Sequence, residues 1–359
     1  GTGLLITAGT GIGSSSNYIE TTISTMSTSN GSGGGFLTDT DAITISSVTV
    51  DTSRVQSDGT VNAQSSTQDG VVGTSGDVDF IAESDSISLE SDINLTGSGN
   101  IVLTATTGSI TMDTTSSAST TSGYIHFTAD QGSITSNDLT TTGGEIVFSA
   151  QDDITLNNGT TSGGAGQVSI TSSAGDITVA SALDAGSGNI TLSANQSLTQ
   201  NTSSNISTSG SGTISLSATA GALSSNSNIT SAGGSITIEA TADAVNLEAA
   251  TNSGGGDLTI TSGTTTTLNG SLNSGAGNIE ITATNANILM NSGSSVDTTS
   301  GYIHLTADSG FITSNDMDTT SGEIVISAQD DITLNAGTTS GGAGQVSVSS
   351  SAGNITVAS

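Results

Sequence analysis

Residues 123–129 read Gly-Tyr-Ile-His-Phe-Thr-Ala, and this stretch contains the pattern on which most of the chain is built. Two and four residues after the glycine come the apolar Ile125 and Phe127, and six residues after it comes the small Ala129. Alternation with a period of two is typical of a β-strand that buries one face. The stretch therefore predicts a strand whose Ile125 and Phe127 side chains point into a core.

The same pattern occurs thirteen times, at steps of 21 to 24 residues. In every copy the second and fourth positions after the glycine are aliphatic or phenylalanine, and the sixth is alanine or serine. Such repetition indicates a structural unit of about 22 residues that stacks on its neighbours. The glycines that open the units are Gly76, Gly99, Gly123, Gly144, Gly166, Gly188, Gly212, Gly234, Gly256, Gly277, Gly301, Gly322 and Gly344.

A longer repeat contains the short one. Residues 99–181 align without a gap with residues 277–359 at an offset of 178, with 61 identities in 83 positions, and eight short units fill the 178 residues. The second copy starts near residue 277 and is cut at Ser359, so we expect further copies beyond it. Residues 76–359 are predicted to form regular coils, and residues 1–75 irregular coils with extruded loops.

Each unit also contains a second strand and a weaker third one. The pair Ile154 and Leu156 represents the second strand, and Leu139 and Ile206 mark the third. Gly, Ser, Thr, Asn and Asp, which favour turns, lie between the strands. Three short strands and three corners per unit predict an all-β fold. The expected architecture is a parallel β-helix (β-solenoid) of roughly triangular section, with about 22 residues per coil and eight coils per 178-residue repeat.

The composition is strongly acidic, because 32 Asp and Glu residues oppose the single base Arg54 and the formal net charge is −31. Low hydrophobicity with high charge is typical of disorder, but the regular repeat argues for a fold. One base cannot neutralise a run of phosphates, which excludes nucleic acid as a partner. Anionic membranes repel the chain, and no apolar stretch approaches the roughly 20 residues needed to span one, so membrane insertion is not expected.

Two stretches carry a resemblance to a known family. Residues 188–194, Gly-Asn-Ile-Thr-Leu-Ser-Ala, and residues 277–283, Gly-Asn-Ile-Glu-Ile-Thr-Ala, resemble coils of filamentous haemagglutinin-type adhesins and other giant bacterial β-solenoid surface proteins. Residues 5–17 are similar to a segment often seen in such repeats. The resemblance extends over the whole chain and implies a β-solenoid with an extracellular or cell-surface location. It carries no binding residues over to this sequence.

Acidic residues cluster at corners that follow the first strand of several coils. In consecutive coils such carboxylates would stack about 5 Å apart, and Ca²⁺ prefers cages of oxygen ligands. Weak Ca²⁺ binding is one hypothesis for these corners, and simple solvated charge is the other; no further cofactor is expected. The residues concerned are Asp130, Asp152, Asp153, Asp308, Asp330 and Asp331.

Two histidines, His126 and His304, occupy equivalent outward positions, each two residues after a tyrosine. The coils on either side place Val102 and Val147 in the column of His126, where a metal site would need further ligands. We therefore interpret both histidines as solvated. The outward column three residues after each glycine mixes many residue types, so it predicts no regular binding array.

Catalysis is the weakest hypothesis. A glycosidase needs two carboxylates grouped on one face, whereas the adjacent Asp152 and Asp153 point in different directions in a strand or corner. We expect no enzymatic activity, with a polysaccharide-degrading β-helix enzyme as the remote alternative.

The leading functional hypothesis is the structural shaft of an extracellular fibre or giant cell-surface adhesin, which provides reach and stiffness. The alternative is a binding module that grips glycan, mineral or Ca²⁺ along a regular face. Expected partners are further copies of the repeat, in the same chain or by end-to-end association at ends such as Ser359, and also glycans.

Overall fold

The fold is seen in a computed structural model that describes residues 3–358. These residues form an all-β parallel β-solenoid of about 16 turns with about 22 residues per turn, and no helix occurs among them. The fold class predicted from the sequence is confirmed. Two compact units divide the chain between Thr161 and Ser162, and each is described by itself. Gly1, Thr2 and Ser359 lie outside the described residues, so the expectation for the chain end at Ser359 stays a prediction.

The first unit contains twenty strands among its described residues. They are β1 Gly3–Ala8, β2 Ile19–Thr21, β3 Thr25–Asn30, β4 Gly35–Asp39, β5 Ile43–Ile45, β6 Val48–Val55, β7 Val61–Gln68, β8 Val71–Gly73, β9 Val78–Ala82, β10 Ile87–Leu89, β11 Ile93–Leu95, β12 Ile101–Ala105, β13 Ile110–Met112, β14 Ser117–Thr120, β15 Ile125–Ala129, β16 Ile134–Ser136, β17 Asp138–Thr141, β18 Ile146–Ala150, β19 Ile154–Leu156 and β20 Thr160–Ser162.

The second unit continues with twenty-six strands among its described residues. They are β21 Val168–Ser172, β22 Ile177–Val179, β23 Leu183–Asp184, β24 Ile190–Ala194, β25 Leu198–Gln200, β26 Ile206–Thr208, β27 Ile214–Ala218, β28 Leu223–Ser225, β29 Ile229–Ser231, β30 Ile236–Ala240, β31 Val245–Leu247, β32 Thr251–Asn252, β33 Leu258–Ser262, β34 Thr266–Leu268, β35 Leu272–Gly275, β36 Ile279–Ala283, β37 Ile288–Met290, β38 Ser295–Thr298, β39 Ile303–Ala307, β40 Ile312–Ser314, β41 Asp316–Thr319, β42 Ile324–Ala328, β43 Ile332–Leu334, β44 Thr338–Ser340, β45 Val346–Ser350 and β46 Ile355–Val357.

Each regular turn contributes three strands, which we call face 1, face 2 and face 3 in chain order; β15, β16 and β17 are one such set. Strands of the same face pair in parallel with those of the neighbouring turns. In unit 1, Ile125 lies opposite Ile101 on one side and Ile146 on the other, which confirms the predicted stacking of Ile146 on Ile125. In unit 2, eight successive face-1 pairs from β21 to β45 keep the same register over five residues each.

The core consists of like side chains stacked from turn to turn. Phe127 and Phe148 lie in adjacent turns with ring centroids 5.1 Å apart and planes inclined by 5°, and both are buried. Burial depends on a covering turn. Ile332 is fully buried, whereas Ile355, which stacks on it in the last described turn, is 47% exposed.

The glycine that opens each turn lies where successive backbones approach most closely. A Cβ added at Gly123 would overlap the carbonyl oxygen of Gly99, and a Cβ added at Gly144 would overlap that of Gly123. In unit 2 the same overlap would occur between Gly322 and the Gly301 carbonyl. Any side chain in this column would push the turns apart, so the glycines are required for space.

A buried hydroxyl three residues before the glycine joins neighbouring turns. Thr319 Oγ1 donates to the Gly301 carbonyl at 3.1 Å and accepts from the Gly322 N–H at 3.0 Å. Thr141 makes the equivalent pair of bonds to Gly123 and Gly144 in unit 1. The corner leaves these backbone groups outside the strand ladder, where an unpaired buried group would be unfavourable. The hydroxyl therefore explains why face 3 ends in Thr or Ser rather than in an aliphatic residue.

One segment of unit 1 departs from the solenoid. Strands β6 and β7 form an antiparallel hairpin of eight residue pairs, inserted between β5 and β8 at the corner between faces 2 and 3. Residues 49–67 of this hairpin are exposed, Arg54 among them. The hairpin lies in the segment for which the sequence predicts extruded loops.

The first prediction tests which side chains point inward. Phe148→Asp places an unpaired charge in the core and is expected to lower the free energy of unfolding by more than about 3 kcal/mol. Val147→Asp changes the next residue, whose side chain points outward, and is expected to lower it by less than about 1 kcal/mol. Thermal and urea unfolding followed by circular dichroism measures both, and equal losses would contradict the assignment.

The second prediction tests the glycine column. Gly144→Ala forces a methyl group against the Gly123 carbonyl and is expected to destabilise the protein by about 2 kcal/mol. Gly143→Ala is the matched control, because no atom lies within 4 Å of an added Cβ there. It is expected to be neutral or slightly stabilising. Similar unfolding midpoints for the two variants would show that the close approach at Gly144 does not exist.

Candidate functional site

The structure places the six acidic residues of the Ca²⁺ hypothesis at exposed corners between face 1 and face 2. In unit 2, Asp331 has a structural role, because its Oδ1 accepts the backbone N–H of Asn354 in the next turn at 2.6 Å. Within residues 3–358, no three His, Cys, Asp or Glu side chains form a group suited to hold a metal ion. Ca²⁺ binding at Asp130, Asp152, Asp153, Asp308, Asp330 and Asp331 stays a prediction.

A stacked pair of carboxylates lies elsewhere, on the outer surface of face 3. Asp297 in β38 is in register with Asp318 in β41. Burial raises the pKa of Asp297, and the charges of Asp318 and Asp316 raise it further, while a hydrogen bond from Ser295 at 2.7 Å opposes the rise. The first copy of the long repeat has uncharged residues, a serine and a threonine, at the two stacked positions. Sequence reasoning missed this pair because it examined only the corners after face 1.

The most distinctive outward cluster consists of Tyr302, His304 and Glu323, which we call the Tyr302 cluster. Tyr302 directly precedes β39, and His304 is the second residue of that strand. Glu323 precedes β42 in the next turn, where its carbonyl accepts the Ile303 N–H at 2.9 Å. Parallel stacking therefore brings the carboxylate of one turn beside the aromatic rings of the turn before it.

The geometry of this cluster fixes both rings. The Tyr302 and His304 rings stack with centroids 4.0 Å apart and planes inclined by 26°. His304 Nε2 lies 3.1 Å from Glu323 Oε1, so the imidazole is held between the phenol ring and the carboxylate. Both histidines were interpreted from the sequence as solvated, but the His304 side chain is only 31% exposed.

Unit 1 repeats the arrangement with Tyr124, His126 and Glu145, the Tyr124 cluster. Its rings lie 4.1 Å apart, and His126 Nε2 lies 3.0 Å from Glu145 Oε1. The column neighbours of His126 are Val102 and Val147, as the sequence predicts. The glutamate escaped sequence reasoning because it approaches diagonally, from the column one residue after the glycine.

Both tyrosines are held in the protonated form. Burial raises the pKa of Tyr302, and the carboxylates of Glu280 and Asp257 raise it further. Burial likewise raises the pKa of Tyr124, with added contributions from neighbouring carboxylates. Each phenol therefore remains a hydrogen-bond donor at neutral pH and above.

A shallow depression of about 430 Å³ lies beside Tyr302. Asn278, Glu323 and Gln345 place amide and carboxylate groups around it, and Gly322, Gly344 and small Ser and Ala residues line the rest. Asn278 is fixed because its Oδ1 accepts the Tyr302 N–H at 3.2 Å and its own N–H donates to Asp257 Oδ1 at 2.8 Å.

The cluster belongs to a column that the sequence displays but that was not examined. The residues one position after the glycine follow the same order in both copies, which a comparison at the 178-residue offset could have found. In unit 2 they are Asp257, Asn278, Tyr302, Glu323 and Gln345, and in unit 1 they are Asp77, Asn100, Tyr124 and Glu145.

No protein-family model, curated protein or solved structure matches this chain. The resemblance to haemagglutinin-type repeats is therefore supported only as far as the β-solenoid fold. In residues 3–358, no helix has the length and apolar character needed to cross a membrane.

The third prediction uses the raised pKa of Asp297. Because the folded state binds this proton more tightly than the unfolded chain, stability falls as pH rises above about 4 and stays lower at neutral pH. Asp297→Ser is expected to raise the melting temperature by about 1 to 3 °C at pH 7 and to have little effect near pH 3.

Asp308→Ser is the control for this prediction, since it removes the same charge from an exposed corner. An equal rise in both variants would attribute the effect to the net charge of the chain rather than to the stacked pair.

Proposed function

We propose that this chain is a shaft segment of an extracellular fibre or giant cell-surface adhesin, which supplies reach and stiffness. The observation that carries the proposal is the unbroken register of the face-1 strands, with eight successive pairs in unit 2 alone. A fold that adds turns without changing its register can be lengthened by repetition of the same sequence, and the 178-residue repeat does this.

The bonding within each unit suits such a role. Every turn is joined to the next by ladders of backbone hydrogen bonds on its faces and by hydroxyl bonds such as that from Thr319 to Gly301 at the glycine corner. Because each turn covers the core of its neighbour, stability accumulates as turns are added. A shaft needs this continuity more than it needs a single specialised cleft.

The charge and the resemblance support the extracellular placement. A net charge of −31 keeps parallel copies apart and soluble, which suits long molecules at a cell surface. Further copies of the repeat, in the same chain or associated end to end, are the partners that this role implies. Catalysis has no place in the proposal, since the carboxylate pair Asp152 and Asp153 lies in an exposed corner rather than across a cleft.

Immunogold electron microscopy tests the location and the role. Antibodies raised against the hairpin, residues 49–67, recognise an exposed segment that does not belong to the 178-residue repeat. On intact producing cells we expect gold particles along surface filaments, at a distance from the cell envelope. Labelling that appears only after permeabilisation, or only on compact particles at the envelope, would contradict the shaft.

A further inference from the structure

The Tyr302 cluster presents an aromatic ring in a fixed orientation beside an open depression. His304 stacks on Tyr302 and is itself held by Glu323, so the phenol ring is ordered before any ligand arrives. Tyr302 borders the depression and His304 does not. A ring that is already immobilised loses little conformational entropy on binding, which favours its use as a stacking platform.

The groups around the depression both donate and accept hydrogen bonds. Asn278 and Gln345 contribute amides, which do both, and Glu323 contributes a carboxylate whose Oε1 is engaged by His304. A hydroxyl group also donates and accepts, so several hydroxyls on one ligand match this set. The volume of about 430 Å³ lies within the range of small-molecule sites.

The electrostatics exclude anionic ligands. Asp257 and Glu280 are close enough to raise the Tyr302 pKa, and Glu323 adds a third carboxylate at the edge of the depression. The chain has one base, Arg54, and it lies in the hairpin. A sulfated, phosphorylated or uronic sugar would meet negative charge without a cation to balance it.

We propose that the depression binds the ring of a neutral pyranose sugar. The apolar C–H face of the sugar packs on the Tyr302 ring, and its hydroxyl groups bond to Asn278, Glu323 and Gln345. This site is additional to the shaft role and does not depend on it, because a sugar can bind whether or not the chain forms a fibre.

An alkylammonium ion fits the site less well. Cages for such ions surround the charge with several aromatic rings, whereas here a single phenol is available and His304 covers one of its sides. The two amides would also lack a purpose, because an alkylated cation offers no hydroxyl to them.

The expected affinity is low for one site, about 1 to 10 mM, because the depression is shallow and has one aromatic residue. The Tyr124 cluster repeats the same three side chains in unit 1. Repeated weak sites along a polysaccharide can add to firm attachment through avidity.

Fluorine NMR on the full chain labelled with 3-fluorotyrosine provides the test. The chain has three tyrosines, so three resonances are expected, each assigned by a single Tyr→Phe variant. The probes are the methyl glycosides of glucose, galactose, mannose and N-acetylglucosamine, with acyclic sorbitol and tetramethylammonium as comparisons. We expect the Tyr302 resonance, and that of Tyr124, to shift saturably with at least one glycoside below about 100 mM.

The third tyrosine is an internal control. Tyr18 donates to Asp79 at 2.5 Å and packs edge-on against Phe36, so its surroundings differ from those of Tyr302 and its resonance is expected to stay in place. The proposal is overturned if no glycoside moves the Tyr302 resonance, if tetramethylammonium or sorbitol moves it as much, or if Tyr18 shifts equally.

Two variants assign the binding to the depression. Gln345→Ala removes one amide without touching the stacked rings, and the dissociation constant is expected to rise about fivefold. Tyr302→Ser should abolish binding in unit 2 and still fold, because Ser235 occupies the same column in another turn. Circular dichroism checks the fold of each variant. Undiminished saturation of the remaining resonance shifts in a Gln345→Ala chain would place the sugar elsewhere.

Discussion

Successive turns of this solenoid approach so closely at one corner that no side chain fits between them. At Gly144 and at Gly322 a Cβ would overlap the carbonyl oxygen of the glycine one turn earlier. This contact fixes the position of each turn on the last, and the alternation of inward and outward side chains follows from it. The stacked Phe127 and Phe148 rings, and the continuous register of face 1, depend on the same constraint.

The close approach also creates polar groups that water cannot reach, and the sequence supplies a partner for them. Thr319 bonds both the carbonyl and the N–H that the corner leaves over. On the outer surface, Asp257 and Asn278 accept backbone N–H groups of the following turn. The many Ser, Thr, Asn and Asp residues, which by composition suggest disorder, are therefore part of the hydrogen bonding that holds the turns together. Ordered placement, more than apolar content, makes this chain fold.

The core and the stacking could be predicted from the sequence because they depend on spacing alone. The columns of Ile125 and Phe127 follow from the period of two and the repeat of about 22 residues. Contacts that cross between columns could not be predicted in this way. The approach of Glu145 to His126 depends on side-chain length and on the exact stagger of two turns, and the hairpin of β6 and β7 follows no repeat. The site at Tyr302 thus required coordinates, whereas its scaffold did not.

Distances between spin labels within unit 2 test the central claim most directly. The chain has no cysteine, so pairs can be introduced at Thr191, Glu280 and Val325, which share one outward column. Four turns separate Thr191 from Glu280 and six separate it from Val325, so stacking in register predicts distances of about 19 Å and about 29 Å. Two narrow distributions that differ by about 10 Å would support the account. Broad or equal distributions would contradict the stacking of turns in register.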